Sequence, residues 1–382
     1  RDIIKKGDDL ATIVVDSLMN AKESEGFEFR DKDIVAITEA VVGISEGNYV
    51  TVDDVAQDLE KKFPSKKIGV VNPILSRNRF SIILKGIARG MDKITLLTSF
   101  PADEVGNGIL DETILEKSKY HLGSLISEDE YAETFGSWIH PFTGINMIDF
   151  YREIIEDEDC DVEFVFSNDV KTILDYTNDV LTCDIHTREK TVKLLKDLGA
   201  NVYGLHQVLT EPIGDSGSNP EYGLLGSNKA TEEKLKLFPK TGDALVMEVQ
   251  KRLIELTGKQ IEVMVYGDGA FKDPVGQIWE LADPVVSPAH TPGLVGTPNE
   301  IKLKYVSDNK FADLKGDELK EAIREEIKHK AKDLTGQMIT EGTTPRRLTD
   351  LIGSLCDLTS GSGDKGTPVI FIQGYFDNLA DD

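Results

Sequence analysis

The stretch of this sequence with the richest chemical content is 258–284, GKQIEVMVYGDGAFKDPVGQIWELADP. A β-branched run ends at Tyr266, and Asp268 follows between two glycines, where the backbone is able to approach a ligand closely. A carboxylate at the carboxyl end of a strand suits Mg²⁺ or Mn²⁺, which prefer oxygen ligands and keep positions open for phosphate oxygens. Asp273, Glu280 and Asp283 offer further oxygens in the same stretch. Gly-Asp-Gly is equally the composition of a tight hairpin turn, and both readings stand at this level.

Two other segments have binding chemistry. Tyr222 to Lys229, YGLLGSNK, combines two glycines with a Ser-Asn pair, a set able to cradle a base or phosphate or simply to close a capped turn. Glu39 to Asn48, EAVVGISEGN, reads as the end of a strand followed by a glycine-punctuated loop carrying Ser45 and Glu46. Arg77, Arg79, Lys85, Arg89 and Lys93 concentrate positive charge, either to meet a polyanionic substrate or to neutralise neighbouring carboxylates.

Several machineries are missing. The sequence has no Gly-x-x-x-x-Gly-Lys-Ser/Thr loop, no Gly-x-Gly-x-x-Gly after a strand and no His-Glu-x-x-His helix, while the Gly-x-Ser-x-Gly spacing occurs once, from Gly43 to Gly47. These absences remove the expected signatures of a P-loop enzyme, a dinucleotide-dependent oxidoreductase and a zinc peptidase. His140 and His290 sit close to prolines, as cleft residues or as structural ones. Cys160, Cys183 and Cys356 are odd in number and widely spaced, without a Cys-x-x-Cys pair, which predicts a reducing cytoplasm. No apolar stretch follows a basic flank at the start, so no secretory signal is visible. The start at Arg1, without a methionine, predicts that a few native residues precede it.

The elements that must position these residues show local signals. Asp8 or Asp9 caps a predicted helix with Leu10, Ile13, Val14 and Leu18 on one face, ending before Gly26. Ile34 to Thr38 reads as a buried strand, and Thr51 as the cap of a helix carrying Val55 and Leu59. Ile94 to Leu97, Val162 to Phe166 and Asn201 to Leu205 read as strands, and 187–198 as a helix closed by Gly199. Strand, helix and strand over 162–205 imply an α/β subdomain with parallel pairing. A loop spans 210–229, Asp243 caps a helix that stops at Gly258, and a strand runs from Ile261 to Tyr266. Helices around 318–334 and 345–358, a Gly361 to Gly366 linker and a last strand, Pro368 to Ile372, complete the reading.

The chain has 382 residues, with 43 Lys+Arg against 68 Asp+Glu and a net charge of −25. Nucleic-acid binding needs a cationic surplus, so nucleic acid and anionic membrane are both excluded as general partners. At 40% hydrophobic residues the chain is able to bury a core, and its length predicts about two domains. It has no apolar run long enough to span a bilayer.

Taken in order, GDDLATIV at 7–14, ISEG at 44–47, GLLGSN at 223–228, and RLIELTGKQIEVMV followed by Gly-Asp-Gly resemble the coenzyme F(420)-0:gamma-glutamyl ligase family. In that family a Gly-Asp-Asp-Leu helix start, an Ile-Ser-x-Ala-Glu-Gly loop, a Gly-Ile-Asp-x-Ser-Asn loop and a Thr-Gly-Lys-x-Val-x-Val-Ile strand ending in Asp-Thr follow one another. The resemblance is good over 1–60 and about 210–290.

What it implies is a mixed α+β fold, with a mixed-sheet ligase domain from 1–62 plus 207–382 interrupted by an inserted α/β subdomain, 63–206. The implied reaction joins a substrate carboxylate to the amino group of L-glutamate through an acyl phosphate, consuming GTP or ATP with Mg²⁺ or Mn²⁺ at the phosphates. By the resemblance Asp268 is the catalytic, metal-binding aspartate, and Asn228, Ser227, Glu39, Ala40, Ser45, Ile3 and Ile4 fall at or near nucleotide-contacting positions. Leu225 stands where the family has a second metal-binding Asp, Gly269 where it has a metal-contacting Thr, and Ile44 where a lysine meets the nucleotide. Asp215, Glu221 or Asp273 would then supply the missing metal ligand, and Arg77, Arg79, Lys85 and Arg89 would hold an acidic acceptor, deazaflavin-like or folate-like. The family also implies a cytoplasmic homodimer acting on small molecules. The alternative is a catalytically lapsed relative that binds a small ligand.

Overall fold

A computed structural model of the chain describes residues 3–72, 74–76, 79–103, 106–140, 144–267, 285–296, 301–330, 339, 347–360 and 367–377. The strands in chain order are β1 (Ile34–Thr38), β2 (Tyr49–Thr51), β3 (Lys67–Asn72), β4 (Lys93–Thr98), β5 (Ile126–Ser127), β6 (Asp161–Phe166) and β7 (Asp179–Thr182). They continue with β8 (Asn201–Gly204), β9 (Asn228–Thr231), β10 (Lys234–Lys236), β11 (Glu262–Tyr266), β12 (Ala289–His290) and β13 (Val369–Ile372). Parallel and antiparallel pairs coexist with helices, so the fold is the mixed α+β one expected.

The chain forms two compact units. The first takes its described residues from within 3–8 and 39–241 together with Val285, the second from 9–38, 242–267 and 286–377. In the second unit the sheet order is β12-β11-β1-β13, with β1 parallel to β11 and antiparallel to β13. Ile34, Val35, Ala36 and Ile37 are wholly buried, as befits a central strand apolar on both faces. Leu348, Ile352 and Cys356 of the helix Leu348–Ser360 pack with Ile34, Ala36, Met264 and Ile370. Helix Gly242–Thr257 packs on β11 and β12, and helix Leu10–Glu25 packs on that helix.

Local caps account for the ends of several helices. Asp9 accepts from the backbone N–H of Thr12, and Gly26, at φ 71°, closes helix Leu10–Glu25. Thr51 and Asp54 form a capping box that starts helix Val52–Lys62. Three readings need correction. The 39–48 segment, expected as a loop, contains the helix Glu39–Glu46. Helix 242–257 starts at Gly242, which places Asp243 in its first turn rather than at the cap. The charged helix ends at His329 rather than near residue 334.

In the first unit, β2-β10-β9 form a small antiparallel sheet, and β5-β6-β4-β3-β7-β8 form a larger one in which all neighbours except β5 and β6 are parallel. β3 and the helix after it, Arg79–Gly90, are elements the sequence reading passed over. That helix buries Phe80, Ile83, Leu84 and Ile87 at helical spacing, in one core with Val55 and Leu59 of helix Val52–Lys62.

Candidate active site

The polar centre of the first unit is built around Glu39, the first residue of its helix and only 3% exposed. The hairpin β9–β10 presents two side chains to it. Lys236, on β10 and 7% exposed, places its Nζ 3.6 Å from Glu39 Oε1 and donates to the Ala40 carbonyl at 3.4 Å. Asn228, at the start of β9, donates from Nδ2 to the same Glu39 oxygen at 3.3 Å. Gly43 makes the approach possible, since a Cβ there would sit 3.3 Å from both Lys236 Cδ and the Leu237 carbonyl. A carboxylate and an ammonium buried together compensate each other, whereas either alone in that position would be heavily penalised.

The 210–229 segment that leads into Asn228 is held by amides. Asn48 donates to the Ser218 and Phe238 carbonyls at 3.0 and 3.3 Å and accepts from the Ser218 N–H at 3.0 Å. Asn219 donates to the Phe238 carbonyl at 3.0 Å and accepts from the N–H groups of Glu221 and Tyr222 at 3.0 and 2.9 Å. Gly223 has φ 52°, and a Cβ on it would lie 2.6 Å from the Leu205 carbonyl, so only glycine turns the chain here. Leu224 and Leu225 then enter the core, both 0% exposed. Ser227 follows, 2% exposed, with an Oγ that has no hydrogen-bond partner among the described residues. A buried hydroxyl left open is uncommon and is met by a ligand or by ordered water.

The other expected site residues scatter. Ala40 lends its carbonyl to Lys236, and Ser45 donates its hydroxyl to the Val42 carbonyl at 2.9 Å. Glu46 accepts from the N–H groups of Lys240 and Thr241 at 3.1 and 2.8 Å. Ile3 is 81% exposed and Ile4 half-buried. Asp215 and Glu221 are both exposed. Arg77, Asp268, Gly269, Asp273, Glu280 and Asp283 lie outside the described residues. Among the described residues no three His, Cys, Asp or Glu side chains gather to hold a metal.

Arg79 is buried, while Lys85 and Arg89 point into a surface network of charges. Lys85 pairs with Glu233, and Arg89 bonds Glu158 at 2.7 Å, Asp53 at 2.8 Å and Glu233 at 2.8 Å. The hydrogen bond to Glu158, then that to Glu233, hold Arg89 more firmly protonated than usual. Hydrogen bonds from Arg89 and then Lys85 draw the Glu233 carboxyl down to about 2. Lys93 pairs with Glu163 at 3.1 Å. Lys236, Asn48 and Asn219 were not singled out from sequence. The only local hint was that Asn48 closes the EAVVGISEGN segment.

A family model described as F420-0:Gamma-glutamyl ligase matches residues 1–374. No curated protein matches the chain. No helix among the described residues is long and apolar enough to cross a membrane.

Proposed function

This chain belongs to the F420-0:gamma-glutamyl ligase family, whose members form γ-glutamyl C–N bonds, and from that premise we propose an acid–amino-acid ligase driven by a nucleoside triphosphate. A carboxylate oxygen of the acceptor takes the γ-phosphoryl group and releases the nucleoside diphosphate. The amine of L-glutamate then attacks the acyl carbon, the C–N bond forms, the C–O bond to phosphate breaks, and the amine proton passes to solvent. Such a transfer needs positioning and charge neutralisation more than a protein nucleophile.

The cluster at Glu39 supports this reading. An ammonium has three N–H donors; one goes from Lys236 to the Ala40 carbonyl while Glu39 lies 3.6 Å away as its counter-charge, and we assign a remaining donor to a phosphate oxygen. The open Ser227 hydroxyl and the Asn228 amide add neutral donors, and Glu39 holds Lys236 in place. We assign GTP as the nucleotide, with ATP as the alternative.

Mg²⁺ or Mn²⁺ would neutralise phosphate charge in such a reaction, but the described residues do not form its site. Glu39 is already matched by an ammonium, and Asp215 and Glu221 are exposed without joining a carboxylate cluster. A metal set would draw on Asp268 and Asp273. We further propose that 63–206 is an insertion serving a deazaflavin-type or folate-type acceptor. Arg77 and Arg79 are its candidate contacts, and Lys85 and Arg89 join them once their ion pairs open. A homodimer is the assembly we propose.

One observation favours the second reading, a lapsed relative that only binds a ligand. Leu225, at the position of a family metal-binding Asp, is 0% exposed inside the apolar core, where an ionised carboxylate would carry a large desolvation penalty. Diphosphate release, measured with GTP or ATP, Mg²⁺ or Mn²⁺, L-glutamate and deazaflavin or folate acceptors, separates the two. Glutamate-dependent release supports the ligase. Calorimetric nucleotide binding with no release under any acceptor supports the lapsed relative and overturns it.

A further inference from the structure

The large sheet of the first unit has a switch in strand order that the ligase reading leaves unused. Its parallel strands lie in the order β6, β4, β3, β7, β8, which by rank in the chain is third, second, first, fourth, fifth. The order reverses between β3 and β7. The helix that follows β3, Arg79–Gly90, packs in the core that contains Val70 and Leu96, while the helix that follows β7, Arg188–Asp197, packs with Val71, Leu97 and Val180. Alternate residues of a strand face opposite sides of a sheet. The chain therefore leaves β3 on one face and β7 on the other, and in open α/β sheets the crevice opened in this way, at the carboxyl ends of the strands, is where ligands bind.

Side chains at these ends are polar, buried and open. Asn72 ends β3 and stands opposite Thr98, the end of β4; Thr182 ends β7 and stands opposite Gly204, the end of β8. Both polar atoms of the Asn72 amide, the hydroxyls of Thr98 and Thr182, Asp184 Oδ1, Arg188 Nε and His206 Nδ1 have no hydrogen-bond partner among the described residues. Asn72 and Thr182 are 0% exposed, and Thr98 and Asp184 are 3%. Proteins pair nearly all such groups, so a series of open ones along one edge of a sheet needs a cause. Asp184 is also oriented: its Oδ2 accepts from the hydroxyls of Thr187 and Thr191, both at 2.6 Å, which fixes the carboxylate with Oδ1 left over. Gly204 keeps the edge bare, since a Cβ there would lie 2.6 Å from the His206 ring and 3.4 Å from the Thr182 hydroxyl.

We propose that this crevice binds a ribonucleoside through its ribose hydroxyls. Vicinal hydroxyls both donate and accept, and they match a carboxylate oxygen, two hydroxyls and an amide. A carboxylate on the ribose is the ordinary arrangement in doubly wound sheets. Phosphate is disfavoured on two grounds. The sequence that follows β3, NPILS at 72–76, contains no glycine of the kind that lets a backbone cradle a pyrophosphate. The one carboxylate and one guanidinium among these groups, Asp184 and Arg188, cancel, which leaves no cationic surplus for phosphate.

This inference goes beyond the ligase reading and does not rest on it, because a free nucleoside lacks the phosphates that reading requires. The test is calorimetric titration of the full chain with adenosine and guanosine and with their 2′-deoxy counterparts, without metal. Saturable binding of a ribonucleoside is expected, about tenfold weaker for the 2′-deoxy form, for Thr182→Val and for Asp184→Asn. Thr182→Val keeps the shape and removes an unpaired hydroxyl, so its thermal stability is expected to hold or rise while affinity falls, which separates lost binding from lost folding. Asp184→Asn keeps an acceptor for Thr187 and Thr191. Glu39→Gln is expected to lose diphosphate release and keep nucleoside binding, so the two readings fail separately. Absence of saturable binding, equal affinity for ribo and deoxy forms, or undiminished binding in both variants would mean that ordered water alone satisfies these groups, and would overturn the proposal.

Discussion

Two sets of opposite charges in the first unit use the same chemistry in different surroundings. Glu39 and Lys236 form a buried ion pair, 3% and 7% exposed. Lys85, Arg89, Asp53, Glu158 and Glu233 form a network in which the Glu233 and Asp53 side chains are 51% and 66% exposed. Water screens the contacts to Asp53 and Glu233, which contribute little each, while Glu158, 12% exposed, holds Arg89 by two hydrogen bonds. The first set is cut off from water, and there the loss of one partner strands the other. The geometry of the surface contacts is better, yet the longer buried pair matters more, because solvent rather than distance decides the strength.

Lys236→Met is the strongest test of that contrast. It should cost about 3 kcal/mol or more in denaturant unfolding, with glutamate-dependent turnover down about 100-fold or further, the scale for loss of one preorganised donor at the reacting charge. If stability is unchanged, the pair is not the buried unit described. Glu39→Leu combined with Lys236→Met should recover most of the lost stability and none of the turnover, since an apolar pair of similar volume often replaces a buried ion pair without penalty. Strict additivity of the two single changes in a double-mutant cycle would argue against coupling.

Ser227→Ala removes a buried hydroxyl that has no partner among the described residues. Stability should stay within about 0.5 kcal/mol or improve, while nucleotide affinity drops roughly five- to tenfold. A destabilised variant with unaltered affinity would make Ser227 structural. Arg89→Ala should be the mildest change, less than about 1 kcal/mol and smaller still in 0.5 M salt, where the Debye length is only about 4 Å. The pH dependence follows from Glu233, whose folded value is depressed to about 2. Its contribution is complete above the ordinary carboxylate range and fades as pH falls from about 5 toward 2. In Arg89→Ala, a proton titration followed by NMR should show Glu233 returning toward the usual carboxylate value.

What was legible from sequence was mostly local. Asp9, Gly26 and Thr51 announced helix ends because capping chemistry depends on neighbours within four residues. Ile34 to Thr38 announced a strand because a continuous β-branched run fits a strand buried on both faces. The segment from Glu39 was misread for a physical reason: Val41, Val42, Gly43 and Ile44 are poor or neutral helix formers, and the burial of Val42 and Gly43 against their surroundings decides the conformation. Asn228 and Ser227 were singled out from the composition of one loop and again from its resemblance. Lys236 had no such cue, since Lys-Leu-Lys in a short strand has the pattern of an exposed hairpin edge.

By itself the sequence determined the class of chemistry, because the resemblance carried by the ordered glycine-bearing segments already pointed to a γ-glutamyl ligase. It also determined the mixed α+β texture, through caps and periodicities that act within a few residues. Only the tertiary structure decided which charges meet. It turned Lys85 and Arg89 toward protein carboxylates, buried Leu225 in the core and brought Lys236 to Glu39 across 196 intervening residues (236 − 39 − 1). It also set the strand order that reverses between β3 and β7. Burial and strand order are properties of long-range packing, so the strength of a charge pair and the place of a crevice follow from the folded chain rather than from spacing along it.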